Sequence, residues 1–152
     1  MDLSTLLSPD CTRRAVAGSS KKKVLEMIGQ LAAPRLSGTT SFDVFESLLN
    51  RERLGSTGIG LGVAIPHGRL QSANKPVAIL MTLAEPIDFD AIDNQPVDIV
   101  FALLVPEEEH EQHLQTLAAV AQRLNDKSCT RALRDAQNDQ ELYQLFTDDN
   151  CG

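Results

Sequence analysis

Basic residues are scarce in this chain: 14 Lys and Arg stand against 21 Asp and Glu, a formal net charge of -7 over 152 residues. That deficit argues against nucleic acid or an anionic membrane as the main partner, since both require a basic face. A basic or mixed protein partner fits better. Cysteines number only three, and Cys11, Cys129 and Cys151 are too widely spaced for a zinc ribbon or a disulfide framework, so reduced thiols in a cytoplasm are expected. Long hydrophobic runs are missing too. The longest, VAILMTLA and IVFALLV, fall far short of the roughly 20 residues of a membrane span, and residues 1–7 do not read as a secretory signal. Repeats, low-complexity tracts and Gly/Ser/Pro linkers are also absent, which leaves one domain over 1–152.

What is present is an ordinary globular composition, 42% hydrophobic and 23% charged, sufficient to bury roughly two thirds of the unfolded surface. Ser19 and Ser20 lead into KKKVLEMIGQLAA, where Val24, Leu25, Ile28, Leu31 and Ala32 recur at helical spacing before Pro34; an amphipathic helix is predicted. Thr40 and Ser41 cap a second helical stretch, FDVFESLLNRER, with Phe42, Phe45, Leu48 and Leu49 on one face and Arg51 near its end. Beyond Gly55 the period changes. Ile59, Leu61, Val63 and Ile65 alternate with Gly58, Gly60, Gly62 and Ala64, the spacing of a strand. Pro66 ends that ladder and Gly68 releases the turn, which puts His67 at the C-terminal end of the strand.

PVAILMTLA and PVDIVFALLVP read as central strands, with IDFDAIDNQ between them as a short strand and an Asp-Asn turn of an antiparallel hairpin. After Pro106 an acidic segment enters a helix carrying Leu114, Leu117, Ala118, Ala121 and Leu124, with His113 at the start of its stripe. Ser128 and Asn138 cap two last helices bearing Ala132, Leu133, Leu142, Leu145 and Phe146. The expected fold class is α/β, a mixed central β-sheet flanked by helices on both faces.

The glycines suggest phosphate, but they spell G-x-G-x-G rather than G-x-G-x-x-G, and no G-x-x-x-x-G-K-[ST] occurs, so a nucleotide site is poorly supported. His67 is more informative. A ring between Pro66 and Gly68 can have one nitrogen fixed by a neighbouring carbonyl, which selects the tautomer and leaves a nucleophilic lone pair outward. Arg51 could grip phosphoryl oxygens with its planar fork, although a solvated helix-end cation is the commoner fate of such a residue. His113, directly after a strand, could meet His67 at one rim of the sheet, or simply face water. His110 and His113, three apart, could share a helical face and a zinc ion, yet EEEHE more readily forms a solvated helix start. No G-x-S-x-G elbow or catalytic cysteine setting is present.

GSTGIGLGVAIPHGRL resembles the phosphorylation motif of enzyme IIA proteins of the mannitol/fructose class in the bacterial phosphotransferase system. FDAIDNQPVDIVFALLVP, followed by HLQTLAAVAQRL, is similar to its nitrogen-regulatory branch, and the likeness runs from LSTLL to DQELYQLF. The resemblance implies a phosphotransferase-system phosphoryl carrier, mainly regulatory, whose His67 accepts a phosphoryl group from the phosphohistidine of an HPr-like carrier. It implies roles for His113 as the second active-site histidine and for Arg51, with Thr57, in phosphate binding; no cofactor or metal is required. Implied partners are that carrier and regulatory targets such as potassium-transport regulators and sensor kinases. Neither nucleic acid nor membrane insertion is expected. The alternative is a sugar-specific IIA component passing phosphate to a IIB domain. Leu61 departs from the family pattern, standing where Asn is common.

Overall fold

A computed structural model of the chain describes residues 3–71 and 73–151. Its centre is an antiparallel hairpin of β5 (Val77–Ile87) and β6 (Val97–Pro106). Nearly every residue of 77–83 and 97–106 is buried. Because neighbouring side chains on a strand point to opposite faces, such unbroken burial means that both faces are covered. This is why the two runs lack the alternation of a half-solvated strand. On one edge β1 (Leu7–Val16) adds parallel to β5; on the other, β3 (Val63–Ala64) and β4 (His67–Leu70) lie parallel to successive stretches of β6, with β2 (Gly58–Gly60) antiparallel outside β3.

Helices α1 (Lys21–Ala32) and α2 (Ser41–Glu52) pack on each other and over β5 and β4. The other helices are α3 (Leu114–Leu124), α4 (Lys127–Asp135) and α5 (Asp139–Thr147). Phe146 of α5 meets Phe101 of β6 with ring centroids 5.4 Å apart, a separation at which aromatic pairs attract beyond their buried area. The expected mixed sheet with helical layers is therefore the observed fold, and among the described residues no helix is long and apolar enough to cross a membrane.

Several details differ from the sequence-based expectation. Residues 58–65 do not form one strand. They turn back on themselves at Leu61 and Gly62, where φ is +60° and +80°, as a type I′ hairpin requires at both central positions. The alternating pattern reads straight through this turn, since the residue before Gly62 is Leu rather than a turn former. Leu61 stores strain there. Relief of a left-handed backbone is worth about 1–2 kcal/mol, more than the partial burial of a side chain that is 43% exposed. Leu61→Asn is expected to raise stability by about 0.5–1 kcal/mol; a lower melting temperature than wild type would contradict this account.

His67 does not end a strand but opens β4, opposite Leu103 of β6. Pro66 is tolerated inside this edge because its carbonyl still accepts from the Leu103 amide at 3.0 Å and an edge position needs no second ladder. The inner face of α2 is Val44, Leu48 and Glu52, while Phe42 is 63% exposed. Along α3, Leu114 and Ala118 face outward and Thr116, Val120 and Leu124 inward. Asp126, not Ser128, caps α4; Asn138 caps α5 as expected. Residues 88–96 are loop rather than strand, the hairpin itself being as anticipated. The three thiols are not all free: Cys129 and Cys151 form a disulfide and Cys11 is buried and unpaired. The chain folds back after α5 and brings residue 151 to the first turn of α4, a closure that a 22-residue separation conceals.

Candidate functional site

Thr40 starts α2 with a capping box: its side chain accepts from the Asp43 amide and the Asp43 carboxylate accepts from the Thr40 amide. Both satisfy donors that a helix start leaves open. With the helix so fixed, its last turn presents Arg51 outward and Glu52 inward. Helix α2 lies tight on β4 because Gly68 has no side chain. A Cβ there would lie 2.3 Å from Ser47 Oγ and 3.3 Å from the Ser47 backbone carbon. Ser47 uses the closeness to donate to the Arg69 carbonyl at 2.9 Å. Gly68 thus permits close approach rather than releasing a turn. Gly68→Ala is expected to cost about 1–3 kcal/mol, the scale of overpacking, and to shift Arg51 relative to His67 because Arg51 moves with the helix; unchanged melting would refute it.

One turn beyond Ser47, Arg51 Nε donates to His67 Nε2 at 3.2 Å and its Nη1 to the Gly55 carbonyl at 2.8 Å. The other ring nitrogen of His67, Nδ1, is 3.0 Å from the Ile65 carbonyl oxygen. A carbonyl only accepts, so Nδ1 carries the proton and Nε2 keeps the lone pair. Burial holds the ring below the usual imidazole value of 6.5; the Ile65 hydrogen bond pulls the other way, Arg51 and His110 lower it further and Glu52 raises it. The result is a neutral imidazole with one fixed proton and one available pair, beside a guanidinium.

Glu52 is buried and accepts from the Thr57 amide at 3.1 and 3.2 Å, from the Thr57 hydroxyl, and from Lys21 Nζ at 2.8 Å. Lys21 in turn sits over the Phe89 ring, 4.8 Å from its centroid. The knot joins the first residue of α1, the last of α2 and the loop that feeds β2. It lay outside the sequence reading, although a glutamate following the last outward arginine of an amphipathic helix was the available signal. A second clamp holds the hairpin tip: Arg134 of α4 pairs with Asp98 at 2.9 Å and donates to the Leu61 carbonyl at 3.0 Å. From the other side Asp93 accepts from the Leu61 amide at 3.0 Å, and its carboxyl is held below the usual range by that bond first and by the Gln95 amide next.

Around His67 opens a cleft of about 870 Å³ lined by Asn50, Arg51, Arg69, Glu107 and His110 among others. The exposed apolar side chains Leu54 and Leu114 stand at its edge. Of the residues singled out from the sequence, His67 and Arg51 meet there. Thr57 is buried, its hydroxyl committed to Glu52. His113 is not part of the cleft lining; its Nδ1 is 3.3 Å from Thr116 Oγ1 and its Nε2 3.6 Å from Glu109 Oε1. The histidine that lines the cleft is His110, one turn earlier. No cluster of three or more His, Cys, Asp or Glu able to hold a metal ion occurs among the described residues.

Residues 5–149 match the family described as "Phosphoenolpyruvate-dependent sugar phosphotransferase system, EIIA 2". The chain is 53% identical over 149 residues to a nitrogen regulatory protein of Escherichia coli, covering 97% of this chain and 91% of that one. It is 52% identical to a nitrogen regulatory protein of Klebsiella oxytoca over the same shares. The crystal structure of nitrogen regulatory protein IIA-Ntr from Neisseria meningitidis superposes with a TM-score of 0.87 at 35% identity, covering 95% of this chain and 98% of that one.

Proposed function

Because the chain belongs to the EIIA 2 family of the phosphoenolpyruvate-dependent sugar phosphotransferase system, we propose that it is a phosphoryl-accepting regulator in which His67 Nε2 takes the group from the phosphohistidine of an HPr-like carrier. The observation that carries this reading is the tautomer: the Ile65 carbonyl holds the Nδ1 proton, and the Nε2 lone pair faces Arg51 in an open cleft. A neutral imidazole with an oriented pair is a competent nucleophile.

In the transfer the Arg51 Nε–H leaves the lone pair and turns to the phosphoryl oxygens, whose charge its fork can bridge. The cleft needs no redox or acid-base change, because one nitrogen–phosphorus bond breaks as another forms; positioning and charge supply the rate. The resemblance assigns Thr57 to phosphate binding and gives His113 the place of the second imidazole, and each is held in position by its neighbours. Thr57 holds Glu52 beneath the site, and His113 anchors the segment after β6 through Thr116 and Glu109.

The acquired phosphoryl group adds about -1.5 to -2 charge at the rim of the cleft, a change that partner proteins can read. The relatives named as nitrogen regulatory proteins favour regulatory targets over sugar uptake; potassium-transport regulators and sensor kinases are the targets the resemblance implies, in the cytoplasm. The test is to mix the protein with a phosphorylated HPr-like carrier and follow its intact mass. Gain of one acid-labile, alkali-stable phosphoryl group is expected. No gain, or undiminished passage from this protein to a sugar-specific IIB partner as its main outlet, would overturn the reading.

A further inference from the structure

The disulfide between Cys129 and Cys151 has no part in the chemistry proposed for His67, and neither cysteine lines that cleft. Its two ends differ in their surroundings. Cys129 sits in the first turn of α4 and is 1% exposed, on the face that also buries Thr130 and Leu133. Cys151 is half-buried, in a tail that turns back on Asp148, whose carbonyl accepts from the Cys151 amide at 3.2 Å. Up to Asp148 the chain is held without the bond: Arg123 Nη1 donates to the carbonyls of Phe146 and Asp148 at 2.6 and 2.7 Å, and Phe146 packs on Phe101. From 149 on, little else among the described residues ties the tail to the body. The Asn150 amide bonds within the segment, to Asp148 Oδ1 at 3.0 Å. Arg123 Nη2 reaches Asp149 Oδ1 at 3.9 Å, but the Asp149 side chain is 91% exposed, and such surface pairs hold weakly. Helices α4 and α5 have their own fastenings in the Asp126 and Asn138 caps and the Arg134–Asp98 pair. The disulfide is therefore the principal tie of residues 149–151 and a dispensable one for the helices.

We infer that this bond is a thiol–disulfide exchange site, opened by a protein dithiol of the Cys-x-x-Cys class, which unlatches the C-terminal tail from the corner between α3 and α4. The choice of co-reactant rests on the cytoplasmic location given above, where disulfides are exchanged rather than permanent. Burial decides the point of attack. Because Cys129 is covered, the incoming thiolate meets Cys151 Sγ and forms a mixed disulfide there. The Sγ–Sγ bond breaks, and its electron pair leaves on Cys129, which takes up a proton. The second thiol of the dithiol then attacks its own partner sulfur, and Cys151 departs and is protonated in turn. Two electrons and two protons have passed to the pair, and the dithiol ends as a disulfide. Closure is the reverse, with a small-molecule disulfide as oxidant. The tail lies beside Ala119, Gln122 and Arg123 of α3 and Asp126, none of which lines the His67 cleft. A redox input thus enters at a place separate from the phosphoryl one.

The experiment exposes the folded full-length protein, without denaturant, to dithiothreitol and to a thioredoxin-class dithiol protein, stops the reaction by alkylation in denaturant and reads the intact mass. Oxidised protein carries one label, on Cys11, and reduced protein carries three. The reduced mass is expected to appear at a rate proportional to dithiol concentration and insensitive to urea below the unfolding transition, and to disappear again in excess oxidised glutathione. A rate that ignores dithiol concentration and climbs with urea would mean a bond reached only through unfolding, and would overturn the inference. Failure of the bond to form in oxidised glutathione would overturn it too. A monothiol variant of the dithiol protein is expected to be trapped on Cys151, and trapping on Cys129 would contradict the route. On reduction the amides of 149–151 are expected to exchange hydrogen about tenfold faster, and those of α4 and α5 to change less than about twofold. An unchanged tail, or loss of protection in α4, would refute the latch. Cys151→Ser should show the open tail's exchange with and without dithiol. None of these readouts uses phosphorylation of His67, so their failure is distinct from failure of the function proposed above.

Discussion

His67→Ala is expected to take up no phosphoryl group from a phosphorylated carrier, a loss of more than about 10³-fold, the scale on which removal of a nucleophile acts. No other described residue offers the same combination of a protein-held proton on one ring nitrogen and, on the other, a lone pair turned to a guanidinium in the cleft. Substantial labelling of the variant would refute the assignment. The same ring sets a pH dependence with a definite sign. His67 is held below 6.5, first by burial, so the unfolded chain binds its proton more readily than the native one. Stability from this group is complete above about pH 6.5 and declines as pH falls from there to the native value, below which it is level. The acid limb of the transfer rate lies below pH 6.5 for the same reason. In His67→Ala that part of the slope in melting temperature against pH is expected to vanish, and a slope equal to wild type would contradict the account.

Loss of Glu52 is expected to be the most damaging single change to the scaffold of the site. Its carboxylate, 3% exposed, faces Lys21, 21% exposed, and also takes both donors of Thr57. Glu52→Ala leaves a buried amide and hydroxyl without an acceptor and deprives the ammonium of its nearest partner. Each orphaned buried donor costs about 1–3 kcal/mol, and breaking a buried pair reaches 3–5 kcal/mol. Lys21 is partly in water and keeps Phe89, so about 3 kcal/mol is the reasonable total. For a chain of this size that is a fall of roughly 6–12 °C in melting temperature. Glu52→Gln keeps an acceptor for Thr57 and should lose less than half as much. A melting temperature for Glu52→Ala within about 2 °C of wild type would show that the knot is not structural.

Much of this was legible in the chain because the relevant forces are local. Ser20, Thr40 and Asn138 announce helix starts through side-chain oxygens that accept amides three residues on, and runs buried on both faces have to be apolar throughout. Other features depend on contacts remote in sequence. Strand β1, LSPDCTRRAV, carries Pro9 and three charges and shows no alternation, since an edge strand with two register shifts need bury only part of itself. The hairpin at Leu61 was hidden because its strain is offset by Asp93 and Arg134, residues 32 and 73 positions away. His67 and Arg51 could be paired from a motif and a helix end. Which of two histidines three apart reaches the cleft depends on where the turns after Pro106 begin, and no periodicity records that.

On the function proposed above, the carbonyl of Ile65 has a second effect once the ring of His67 carries a phosphoryl group. By keeping Nδ1 protonated it leaves the imidazole a good leaving group, since departure then yields a neutral ring rather than an anion. On that function, a peptide oxygen two residues upstream thus contributes to setting the lifetime of the modified form. No side-chain substitution removes that oxygen. To alter this contact, the short stretch between Val63 and Gly68 has to bend.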